Sequence, residues 1–80
     1  MKFKEFLRWC NERAADGCWG MVEAICCINI VQEVLDQKPW RREKFWKENY
    51  RDRVVSEIVS PINKKIEEFR SIQHGGKSHD

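Results

Sequence analysis

The chain has 80 residues, 15 basic and 13 acidic, and its net charge of +2 is too small to mark a nucleic-acid binder by itself. One small domain is the most this length supports, because so short a chain buries only about 60% of its unfolded surface. The longest purely apolar run, Ala24 to Ile28, is far short of a membrane span, and the amino terminus has no apolar run of signal-peptide length. A cytoplasmic chain with reduced thiols is therefore expected.

Phe3, Phe6, Leu7, Cys10 and Ala14 recur at helical spacing and predict an amphipathic helix from about residue 2 to 16. Gly17 follows where a left-handed glycine would end it. Gly20 suits the N-cap of a second helix, with Glu23 at N3 near the positive end of the dipole. From Met21 to Leu35 the second segment is apolar nearly all round, the mark of a central buried helix in which Asn29 would need hydrogen-bond partners. Lys38-Pro39 ends it and opens the next, with proline at N1.

In PWRREKFWKENY, residues Phe45, Trp46 and Tyr50 share one side, but Val54, Val55, Ile58 and Val59 do not continue it. The chain is expected to break or turn between Tyr50 and Val54. The last stripe, Val55, Ile58, Ile62, Ile66 and Phe69, stays in phase across Pro61, which predicts either a kinked helix or two helices split at a Ser60 N-cap. The reading is an all-α fold, a small helical bundle of three to four helices: a helical hairpin, a short basic helix and a kinked C-terminal helix. It occupies residues 1–72 as a single domain, with 73–80 as a disordered tail.

The stretch DGCWGMVEAICC holds three of the four cysteines. A turn near Cys18 would set Cys10 and Cys26 at similar heights on facing helices and leave Cys18 about 12 Å away along the axis. Zinc needs its ligands about 2.0–2.3 Å from one point, so these thiols predict no metal site; His74 and His79 lie in the tail. Cys10, Cys26 and Cys27 read as small core residues and Cys18 as the exposed thiol. Trp19 is expected to fold back over the hairpin end. GCWG has the form of a KH-domain loop, but the supporting sheet and basic loop are missing. No phosphate loop and no ordered histidine for a nucleophile are present, so no catalytic residue, cofactor or enzyme activity is expected.

Charge is uneven. Residues 38–53 carry seven lysines and arginines against three carboxylates, a net of +4, whereas 17–37 carry acids alone. Trp40, Lys44, Lys47 and Arg51 line up at helical spacing as a candidate partner-binding stripe for an acidic protein surface or for phosphates. Glu43 is placed to pair with Lys47, and Arg42 and Arg53 to lay their stems along the core edge.

The stretches RWCNERAADGCWG and WRREKFWKENY resemble those of small uncharacterised proteins from prophage and mobile-element regions of Gram-positive anaerobes, over most of residues 3 to 69. The resemblance implies no catalytic residues. It implies a short protein that binds and modulates host machinery, and the functional expectation is a non-enzymatic protein-interaction module with no membrane contact. The alternative is a nucleic-acid-binding regulator using the basic third helix. The many aromatic residues on so small a core also suggest a homodimer.

Overall fold

The computed structural model describes the backbone of residues 1–78 and the side chains of residues 1–71. Among these every regular element is a helix and there are no strands, as the all-α reading expects. Helix α1 is Phe3–Asp16 and α2 is Met21–Leu35. A single 3-10 turn, Pro39–Arg41, leads into α3, Arg42–Asn49. The segments Arg51–Val54, Val55–Val59 and Ser60–Ser78 follow without interruption and together form α4. The expected disorder over 73–80 falls where the side chains, and at 79–80 the backbone too, lie outside the described residues.

Local chemistry accounts for the boundaries. Gly17 closes α1 at φ 67°, where a side chain would be strained, and its N–H bonds the Arg13 carbonyl. Gly20 caps α2, and the Glu23 carboxylate folds back over it, leaving a Cβ there only 2.5 Å from Oε2. Tyr50, at φ −130°, ends α3 and begins α4, which is the expected break.

Pro61 neither splits α4 nor leaves Ser60 outside it: Ser60 is helical at φ −62° and ψ −46°. The residues ahead of the proline form a π-helical turn, with the Ser60 N–H bonded to the Val55 carbonyl. Proline cannot donate and crowds the carbonyl four residues back, and a widened turn accommodates both defects without ending the helix.

The core is an aromatic column along α1. Phe6 stacks on Trp46 at 4.5 Å between centroids, Trp9 follows Phe6 at 6.2 Å, and Trp19 stands edge-on to Trp9 at 6.1 Å. Both buried indoles are satisfied: Trp46 Nε1 donates to the Met1 carbonyl at 3.0 Å and Trp9 Nε1 to Asn63 Oδ1 at 2.8 Å. Trp9, absent from the expected stripe, is buried, whereas Ala14 is exposed. Phe69 is likewise exposed rather than core, because burial along α4 fades after Ile62 and the half-buried Ile66.

Two adjacent side chains of α3 lock the hairpin. Glu43 Oε2 accepts the Phe3 N–H at 2.9 Å, at the start of α1, so it does not serve Lys47 as expected. Arg42 donates from Nε to the Gln37 carbonyl at 3.2 Å and from its terminal nitrogen to the Leu35 carbonyl at 3.1 Å, at the end of α2. The antiparallel hairpin brings an N-terminus and a C-terminus to one end, and an Arg-Glu pair answers both dipoles with the right signs.

Helix α2 departs most from expectation. Only Cys27 and Val34 are buried, and Met21, Val22, Ile25, Ile28 and Leu35 lie open to solvent. Asn29 is exposed and needs no internal partner. A helix apolar all round is buried only if the fold has elements enough to surround it. Here α1 and α3 cover one side of α2, and α4 reaches α1 instead, where Asn63 accepts the Trp9 indole N–H.

Candidate functional site

The cysteine-rich stretch is a corner, and its chemistry is quiet. Asp16 Oδ1 accepts the Cys18 N–H at 2.9 Å, and Arg13 pairs with Asp16 at 2.8 Å. Partial desolvation opposes ionisation of Asp16, but the Cys18 N–H and Arg13 outweigh it and hold the carboxyl below the usual carboxylate range. Trp19 folds back on Trp9 as expected. The thiol facing Cys10 is Cys27, not Cys26, which is exposed. Axial height alone cannot separate two neighbouring residues, but the 100° between them on a helix turns one inward and the other out.

The neighbouring Cys27 thiol, together with burial, pushes the Cys10 thiol well above its ordinary range. Cys18 is also raised, first by its contact with Asp16. Among the described residues no group of three or more histidines, cysteines and carboxylates could hold a metal ion.

The stripe expected on the third helix is spread over three elements. Trp40 lies in the 3-10 turn and is 76% exposed, with Lys38 Nζ 5.5 Å from its ring centroid. Lys44 and Lys47 are exposed on α3. Arg51 lies beyond the break at Tyr50 and pairs with Asp52 at 3.0 Å. Trp40, Lys44 and Lys47 therefore present an aromatic ring and two cations to solvent, while Arg51 belongs to α4. Arg42 is committed to the end of α2, and Arg53 sits over the Tyr50 ring at 5.9 Å.

The larger open surface is the one that sequence reasoning placed in the core. Met21, Ile25, Ile28, Gln32 and Leu35 follow one another at alternating steps of four and three residues, the seam spacing of paired helices. All five are exposed, the apolar four from 79% for Met21 to 41% for Leu35. Beside this seam runs a groove of roughly 200 Å³, with Leu7, Asn11 and Ala14 of α1 facing Ile28, Val31 and Gln32 of α2.

The seam was readable in the residues. A four-three stripe within a helix apolar all round has two candidate faces, and only the folded arrangement says which is covered. No described helix is long and apolar enough to cross a membrane. Comparison with family models, curated proteins and solved structures found no match.

Proposed function

We propose that this chain is a non-enzymatic protein-docking module that works through the open side of α2. The carrying observation is the row of large apolar side chains, Met21, Val22, Ile25, Ile28 and Leu35, held in solvent on a well-formed helix. Together they expose on the order of 500 Å² of apolar surface, the upper part of the range for monomers and the usual mark of an interaction site. The resemblance to mobile-element proteins adds context, a small protein that binds host machinery and modulates it, in a cytoplasmic setting.

A second reading rests on Trp40. An exposed ring beside Lys38, with Lys44 and Lys47 nearby in sequence, suits contact with nucleic acid, since stacking and phosphate pairing use these groups.

Two variants separate the readings. Ile25→Glu with Ile28→Glu disables the α2 face, and Lys44→Glu with Lys47→Glu reverses the basic ridge. Each is compared with the parent for protein association and for mobility shifts with random DNA and RNA at rising salt. The docking reading expects the first variant to lose protein association and the second to keep it. A salt-sensitive nucleic-acid shift lost only in the second variant would favour the other reading. Association unchanged in the α2 variant would overturn the docking reading.

A further inference from the structure

We propose that the occupant of the open α2 face is a second copy of the same chain, its α2 lying antiparallel with the two-fold axis at Ile28. This rests on the reading of α2 as the docking face and names its partner.

The seam nearly reproduces itself on reversal. Met21 and Leu35 each stand seven residues from Ile28, while Ile25 and Gln32 stand three and four residues away. An antiparallel pair thus sets Met21 against Leu35 of the other copy and Ile28 against its own equivalent. Ile25 meets the stem of Gln32, whose amide reaches the wet rim. An interface that is its own complement is what a closed two-fold dimer requires.

Charge favours the same arrangement. Residues 17–37 contain no lysine or arginine, and their acids are Glu23, Glu33 and Asp36. Glu23 is about 160° around the helix from the centre of the seam at 100° per residue, and it folds back over Gly20. Glu33 is turned aside and accepts the Tyr50 hydroxyl. Only Asp36 borders the seam. In the antiparallel pair it lies opposite Gly20 of the second copy, at the positive end of that helix, and the two helix dipoles oppose. A parallel pair would set Asp36 against Asp36 and align the dipoles. A foreign helix flanked by lysines would find, on α2 itself, only this one free carboxylate beside the seam, so the charge of α2 does not select such a partner.

Area sets the strength. With Val22 outside the seam, two such stripes bury less than about 1,000 Å² in total, below the usual size of specific complexes, so the dimer is concentration-dependent rather than obligate. Trp40, Lys44 and Lys47 remain outside the seam in each copy, free for a further contact.

The test combines mass and cross-linking on the full chain. Sedimentation equilibrium of the parent from low micromolar to near-millimolar concentration is expected to show a monomer–dimer transition. Ile25→Glu with Ile28→Glu is expected to remain monomeric with an unchanged helical circular-dichroism spectrum. In a Cys18→Ser, Cys26→Ser background, Ile28→Cys oxidised with diamide is expected to give a disulfide-linked dimer, because the two-fold axis brings the thiols together. Val22→Cys, off the seam, is expected to give little.

A parent that stays monomeric throughout overturns the self-pairing. A dimer that survives the double-Glu variant, or that cross-links as well through Val22→Cys as through Ile28→Cys, overturns the proposed geometry. If the parent is monomeric but the double-Glu variant loses a foreign protein that the parent binds, self-pairing fails and the docking reading stands. If neither property changes in that variant, both fail.

Discussion

Helices α1 and α2 are of similar length and form two arms of one hairpin, yet they meet solvent in opposite ways. α1 is the more polar, with Lys4, Glu5, Arg8, Glu12 and Arg13 among its residues, and it supplies four of the ten buried core residues. α2 is the more apolar and supplies two. Burial here follows the number of neighbours. α1 lies between α2, α3 and α4, whereas α2 has partners along one side alone. Apolar surplus without neighbours becomes a contact surface, and that surplus underlies the proposed dimer.

The contrast breaks first at Phe6. Phe6→Ala removes a fully buried ring stacked on Trp46 and is expected to cost about 3–5 kcal/mol, enough to unfold a domain of this size. Ile28→Ala is expected to cost well under about 1 kcal/mol in the monomer, because its side chain is half in water already. Urea melts of the two at low protein concentration provide the check. Equal losses would mean that α2 is covered in the monomer.

The next effect concerns what holds the two arms at one end. Glu43→Ala and Arg42→Ala each remove charge-assisted bonds to an open helix terminus, and each is expected to cost about 1 kcal/mol. Arg42→Lys should recover little, since a lysine has no fork with which to reach both carbonyls. Thermal melts of the three variants would show it.

Thiol labelling sharpens the comparison within α2 itself. Cys26 and Cys18 are expected to react in the native reduced protein, and Cys27 and Cys10 only after denaturation. Cys18 should lag behind what its exposure alone implies at neutral pH, because Asp16 raises its pKa. Mass spectrometry of the labelled chain assigns the sites. Fast native labelling of Cys27 would mean that α2 is rotated from the described arrangement.

The smallest effect is the pH dependence of the bond tying α2 to the α3–α4 junction. Tyr50 donates its hydroxyl to Glu33, and that bond, with partial desolvation, raises the tyrosine above its ordinary range. A group whose pKa is raised on folding stabilises the fold fully below its unfolded pKa, near 10 for tyrosine. That contribution is lost as pH climbs through the raised value. Stability of the parent should therefore fall on the alkaline side, and Tyr50→Phe should flatten the slope. The screening of so exposed a pair keeps the effect small.

Much of the fold was legible because its signals are local. Gly17 ends α1 through a conformation that glycine adopts freely, Pro39 starts a helical turn where its missing N–H costs nothing, and the phase change after Tyr50 marks a break in one strip of residues. Such effects act within a turn or two and need no knowledge of distant neighbours. The candidate surface on α3 was legible only as a set of residue types. The register carrying Arg51 into line with Trp40 does not survive the 3-10 turn and the break at Tyr50.

By itself the sequence determined that the fold is all-α, that α1 stops at Gly17, that the chain breaks near Tyr50, and that α2 is apolar nearly all round. Tertiary structure alone decided which of two adjacent thiols meets Cys10, that Glu43 and Arg42 serve the ends of other helices, and which side of α2 stays open. The reason is geometric. Helical periodicity fixes each residue's direction relative to its own axis, while coverage depends on where the other axes lie, and in 80 residues there are too few of them to close around every apolar face.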